Sequence, residues 1–400
     1  MTAATIDVHR LGDGATGTAL ALVEHAGPGP GGWGEAHRAV SAVAAAPVNA
    51  SASYAGLFRG APALGYLLHR AGRPAYRSAL AELDRAIDAA TRTRLTGARD
   101  RIGRGEAGTI GEYDLISGLT GLGLYQMVRH PERGLLPDVL SYLVALTTPL
   151  RLGGRTLPGW WCGGGPRGIP SDDFPGGHAN LGMAHGIAGP LALLSAAMSA
   201  GIEVSGHHEA IEGICAFLDA WRQHDQAATW WPETLTWAEY DRRAPNSARP
   251  GRPSWCYGVP GLARAQQLAG HALRDPSREH IATRALAETA YDERQLGQIT
   301  DAGLCHGWAG LLHAARRVAA DVPDLAAWNP ALRTLRRRTE DHLARFGPPH
   351  HDGLLDGRAG LGLVEHAGTP DRPLAEDWDA CLLLTFPTRP DNTATRTPTT

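Results

Sequence analysis

One spacing governs what this chain can fold into: a glycine, two residues, a second glycine and then an apolar run. Seven copies of it lie between residues 14 and 360. They are Gly14–Gly17, the degenerate Gly60–Ala63, Gly118–Gly121, Gly186–Gly189, Gly258–Gly261, Gly307–Gly310 and Gly357–Gly360. Their first glycines stand 46, 58, 68, 72, 49 and 50 residues apart. Self-similarity on this scale marks a repeat architecture. Helix-like apolar patterns follow the glycine pairs, as in LGLYQMV and LARAQQLAG. Amphipathic stretches of helical period lie between the copies, at 74–94, 132–149, 206–224, 276–297 and 327–346. Each unit therefore reads as inner helix, connection, outer helix, connection.

Glycines three apart share one face of a helix start and let backbones approach closely. About seven inner helices, surrounded by about seven outer ones, predict an all-α fold closed into an α/α toroid, a double α-barrel. Closure removes the exposed ends that an open solenoid would have to cap. An open helical repeat with a binding groove is the alternative that spacing leaves standing. Residues 1–385 read as a single domain, and 386–400 (FPTRPDNTATRTPTT) as a disordered tail.

Bulk properties narrow the function. A 400-residue chain that is 43% hydrophobic has ample material for a core. The net charge of -3, with no long basic run, argues against nucleic acid as a partner. All 38 basic residues are Arg, which with abundant Ala, Gly and Pro fits a GC-rich bacterial gene. No secretory signal pattern opens the chain and no apolar stretch is long enough to span a bilayer, so a cytoplasmic location is expected. Five cysteines, at 162, 215, 256, 305 and 381, are too few and too odd a set for a disulfide framework. Two long connections, 151–180 and 226–255, are rich in Trp, Gly and Pro and lead into glycine pairs. Both should cover the same end of the barrel.

Chemistry enters where the copies differ, just upstream of the first glycine. The fourth copy carries His185, the fifth Cys256, the sixth Cys305 and His306, and the third has Asp114 a little further upstream. Taken singly, such a Cys is an ordinary small buried residue and such an Asp an ordinary helix cap. Their coincidence at one register places them at one end of the inner ring. Two thiolates and one imidazole suit Zn²⁺, and three protein ligands leave the fourth position open, as catalytic zinc requires. Two thiolates neutralise the ion, so a further thiolate bound there keeps much of its nucleophilicity. Cys162, in a Gly-rich loop outside the register, is the competing ligand.

The segments EYDLISGLTGLGLY, NLGMAHGIAG, RPSWCYGVPG and LCHGWAG together resemble the lanthionine synthetase C-like cyclases, over residues 10–385. The resemblance implies a double α-barrel with zinc at its top, in a free-standing enzyme of the class I lanthipeptide type. It implies a reaction of antibiotic biosynthesis that closes thioether rings, lanthionine and methyllanthionine, in a dehydrated precursor peptide. Cys256, Cys305 and His306 match the family's zinc ligands. His185, Asp114, Arg252 and Tyr257 match its other polar site positions. His185 would transfer the proton, Asp114 would orient it, Arg252 would pair with Asp114, and Tyr257 would donate to the enolate. A dehydratase and an export transporter are the further partners implied, with membrane association through such a complex. The second copy departs by ending in Ala63. Some members carry a small β-rich insertion, whose remnant would fall at 95–112. The alternative is a zinc protein of the same scaffold that holds a thiol or peptide without cyclising it. An α/α-toroid glycosidase would need paired carboxylates at the barrel mouth, where this chain has mostly Cys and His.

Overall fold

The glycine pairs answer to two close approaches in the computed structural model, which describes residues 8–26, 32–131, 134–166, 168–247, 249–367 and 377–386. At Gly307 a Cβ would lie 2.3 Å from the Gly303 nitrogen, and at Gly310 it would lie 1.9 Å from the Leu304 carbonyl oxygen. The loop before each inner helix thus folds back onto the helix start, and only a residue without a side chain admits that contact. Neighbouring repeats press in as well: a Cβ on Gly360 would meet the Leu304 side chain at 2.6 Å. Ala63, in the degenerate copy, is fully buried.

Seven inner helices follow the seven copies: Ala15–Ala26, Ala61–Ala71, Leu119–Arg129, Ala188–Ser199, Val259–Leu273, Trp308–Ala320 and Arg358–His366. Each packs on the next, and the last packs on the first. Among the described residues six outer helices flank them: Trp33–Ala44, Arg77–Gly103, Leu136–Ala145, His207–Ala220, Pro276–Thr289 and Leu325–Phe346. Residues 368–376, where the alternation would place another, lie outside the described residues. The outer helix Arg77–Gly103 runs on through 95–103, because Leu95 and Ala98 keep its buried stripe in period, and Gly105, at φ 65°, turns the chain away after it. The segment 95–112 is therefore helix and turn rather than a strand-rich remnant.

A belt of backbone hydrogen bonds closes the ring. Leu11 N–H donates to Phe58 O, Phe58 to Ile116 O, Leu115 to Ala184 O, Ala184 to Cys256 O and Cys256 to Cys305 O. Cys305 donates to Leu355 O, and Leu355 returns to Gly12 O at 2.8 Å. Every loop that precedes a glycine pair is one link, so the toroid is closed and the open alternative falls.

Residues 377–386 fill the middle. Trp378, Asp379, Cys381 and Leu382–Leu384 are buried. Tyr66 of the second inner helix donates to Trp378 O at 2.9 Å, and Arg264 of the fifth donates to Leu384 O at 2.9 Å. Helices on opposite sides of the ring reach the same short segment, which therefore lies along the axis as a plug. Of the tail expected at 386–400, only Phe386 falls among the described residues. The two Trp-rich connections are stitched to each other by the antiparallel pair His178–Asn180 with Thr234–Thr236, where Asn180 faces Thr234. They share one end, as expected. Among the described residues no helix is long and apolar enough to cross a membrane.

Candidate metal centre and active site

The belt fixes the register of the functional side chains. Because Cys256 N–H bonds Cys305 O at 3.2 Å, the fifth and sixth loops run side by side. This brings one donor atom each from Cys256, Cys305 and His306 within 4.8 Å of one another. They are the three residues the sequence singled out as ligands, and the group is the sole Cys/His/carboxylate cluster of this kind among the described residues. Two thiols and an imidazole at such spacing can converge on one tetrahedral ion, with bonds of about 2.3 Å to sulfur and about 2.0 Å to nitrogen.

The two thiols act directly on each other. Cys256 is held well below the ordinary thiol range, first by the Cys305 S–H and then, against burial, by His306 and Ser254. Cys305 is pushed up in turn, first by Cys256 and then by burial. Carboxylates stand on both sides of His306: Asp301 lies 3.4 Å from Nε2 and Asp356 lies 3.7 Å from Nδ1. Asp301 is braced by Gly303 N–H at 2.8 Å, whereas Asp356 Oδ1 is buried with no hydrogen-bond partner. Once one ring nitrogen binds a metal, the carboxylate beside the other fixes the imidazole's tautomer and orientation.

Beside this centre, His185 Nδ1 lies 2.6 Å from Asp114 Oδ2. Asp114 is 1% exposed and its other oxygen accepts Ser117 N–H at 2.8 Å. Burial alone would lower His185. The hydrogen bond and charge of Asp114 outweigh it, and the imidazole is raised above its ordinary value. The Tyr257 ring is 6.1 Å from that of His185. Its hydroxyl faces Asn180 Nδ2 at 3.5 Å, and burial pushes the phenol up to about 12.

Arg252 departs from expectation. Among the described residues no ion pair joins it to Asp114, whose carboxylate is taken up by His185 and Ser117. Its charge bears on Cys305, His306 and Glu233 instead. Arg94 serves the Asp114 loop, donating to the carbonyl oxygens of Gly111, Ser117 and Ala55. Cys162 is excluded from the cluster: it is 1% exposed, meets Tyr113 Oη at 3.6 Å, and burial pushes its thiol up to about 12.

Several contributors escaped the sequence reading. Asp356 stands immediately before its glycine, the register shared by His185 and His306, so the repeat itself could have found it. Asn180, Asp301 and Glu233 lie in loops whose pairing the sequence does not reveal. Arg94 looks like any polar residue of an outer helix.

The geometry defines a closed helical ring with a Cys₂His centre at one end. The chain belongs to the lanthionine synthetase C-like protein family, whose model matches residues 7–371. It is 25% identical over 305 residues, 76% of this chain and 70% of the other, to the nisin biosynthesis protein NisC of Lactococcus lactis subsp. lactis. The solved structure of nisin cyclase shares its fold, with a TM-score of 0.78, 22% identity, and coverage of 95% of this chain and 93% of that one.

Proposed function

We propose that this chain is a peptide cyclase that forms lanthionine and methyllanthionine rings, adding peptide Cys thiols to dehydroalanine and dehydrobutyrine. The carrying observation is the convergence of Cys256, Cys305 and His306 beside the His185–Asp114 pair. Family membership, and the relative named for nisin biosynthesis, support the same reading.

The donor set fits zinc by its chemistry, with no fourth Cys, His or carboxylate in the group. Zinc held there would supply a thiol-binding position that lowers a substrate thiol from about 8.5 toward neutrality. In the addition, the peptide sulfur bonds to the β-carbon of the dehydroamino acid. The π pair of the double bond moves onto the α-carbon and its carbonyl, and a proton then returns to the α-carbon. No atom is lost, so ring closure leaves the peptide mass unchanged.

His185 is the proton carrier in this scheme. Asp114 takes its Nδ1–H, which leaves Nε2 for the substrate and favours the charged ring near neutral pH. Tyr257 donates to the enolate oxygen. Asn180 has only N–H to offer its phenol oxygen, so the phenol hydrogen is left for substrate. Arg252 offsets the negative field of the thiolates. The substrate is a precursor peptide already dehydrated at Ser and Thr, so a dehydratase acts before this enzyme and an exporter after it, both meeting it in the cytoplasm.

The test incubates zinc-loaded protein with a dehydrated, Cys-containing peptide and counts free thiols by alkylation and mass spectrometry. The expected result is loss of thiols at unchanged mass. Cys305→Ala should lose its zinc and leave the thiols open to alkylation. Stoichiometric zinc in that variant would end the metal assignment. Thiols that persist with the wild-type protein would end the cyclase reading.

A further inference from the structure

A cavity of about 970 Å³ lies against the second Trp-rich connection, and the reaction as described makes no use of it. Trp230, Trp231, Glu233, Ser247, Gly251 and Gln298 are among its walls. Its volume is at the upper end of the range for ligand pockets, about 300–1,000 Å³, and far exceeds what one thiol and one double bond require.

Three wall segments run straight into the three parts of the active site. Thr234 pairs with Asn180, whose amide meets Tyr257. Gly251 lies five residues before Cys256, and Gln298 three before Asp301, the carboxylate beside His306. Gln298 also bonds Pro250 O at 3.1 Å, tying two of these walls together. Glu233 stands at the junction. A Cβ on Gly251 would lie 3.2 Å from its Oε1, and its charge reaches both Cys256 and Tyr257.

We propose that this cavity is the subsite for the peptide residues flanking the reacting cysteine, with the Glu233 carboxylate accepting a backbone N–H of that peptide. The proposal rests on the cyclase reading and adds to it where the substrate chain lies. An extended peptide suits these walls, since the largely buried Trp230 and Trp231 back them and the Glu233 carboxylate offers an acceptor. Because the walls lead along the chain into the site, a peptide seated in the cavity would have its neighbouring residues directed toward the metal centre.

The experiment screens zinc-loaded protein against synthetic peptides that each carry one dehydroalanine and one cysteine. A peptide that is turned over is S-methylated and fluorescently labelled, and its binding is read by anisotropy. Ser247→Trp, on an exposed loop, narrows the cavity and should weaken binding by about tenfold or more, the scale of a lost interface contact. Glu233→Gln keeps shape and volume and should weaken it about three- to tenfold, because one charge-assisted hydrogen bond goes. In both variants KM should rise, and in Ser247→Trp, which lies outside the catalytic and metal groups, kcat and zinc content should hold. Turnover with unchanged affinity in both variants overturns the subsite and leaves the cyclase reading intact. Failure of every peptide to react removes the cyclase reading and the subsite with it.

Discussion

The backbone N–H of Cys256 donates to the carbonyl oxygen of Cys305 at 3.2 Å, and that one link converts two thiols 49 residues apart in sequence into neighbours. It is a link of the belt that joins all seven loops, so the metal centre is part of the device that closes the ring. Architecture and chemistry share a backbone here. Damage to one loop's fold should therefore appear in metal binding before it appears elsewhere.

Gly310→Ala tests that link. The new Cβ would meet Leu304 O at 1.9 Å, and Leu304 immediately precedes Cys305. Displacing that carbonyl should cost about 1–3 kcal/mol of stability and raise the rate at which a chelator removes zinc. Gly213→Ala is the control, because its Cβ meets nothing within 4 Å on the outer helix His207–Ala220. It should stabilise by about 0.5–1 kcal/mol. Urea unfolding and chelator competition read both variants, and equal behaviour of the two would refute the argument.

Asp356→Asn probes the support of His306. The substitution keeps shape but removes the charge 3.7 Å from Nδ1. Loss of such a partner typically costs about 10–100-fold in metal affinity. Competition with a fluorescent zinc indicator gives the number, and unchanged affinity would deny Asp356 this role.

How much of this was legible in sequence depends on whether a feature repeats. Six glycine pairs and one degenerate copy announced the ring, and the register upstream of Gly186, Gly258 and Gly307 announced His185, Cys256, Cys305 and His306. Asp356 obeys the same register, but an Asp before a glycine looks like any loop residue. Features that occur once were opaque. The Asn180–Thr234 pairing joins loops of different repeats, and the Arg94 contacts depend on where an outer helix meets the Asp114 loop. Residues 377–386 carry a short apolar run that could have been any buried segment, and only the ring shows that it lies on the axis.

His185 gives the enzyme a pH signature. Asp114 raises the imidazole above its ordinary value, so the charged ring persists to higher pH than an isolated histidine with a pKa of about 6.5. The stability the pair contributes is fully present below about pH 6.5 and is lost as pH rises through the raised folded value. Catalysis that uses the protonated ring should fall over the same interval. Asp114→Asn should move that falling limb to lower pH, and His185→Ala should lower kcat by about 10²–10⁴ while zinc stays bound. A pH–kcat profile that Asp114→Asn leaves in place would assign the proton to another donor.

Asp379 ties the axial plug to the sixth inner helix. It is fully buried in the axial plug, with His313 Nε2 at 2.7 Å and Arg317 Nε at 2.6 Å. Burial would raise its carboxyl, but the hydrogen bond from His313 and the charges of His313 and Arg317 hold it below its ordinary value. A carboxylate lowered on folding lends stability that is present above about pH 3.9 and lost as pH falls through the folded value. Asp379→Asn removes the charge both partners address in a buried site, and should cost about 3–5 kcal/mol. The loosening should also reach the metal, because Trp255, next to Cys256, donates its indole N–H to Leu382 O of the same plug at 2.9 Å. In Asp379→Asn the urea midpoint should fall and zinc should leave faster to a chelator. A lower midpoint with unchanged zinc release would show that the plug and the metal end are energetically separate.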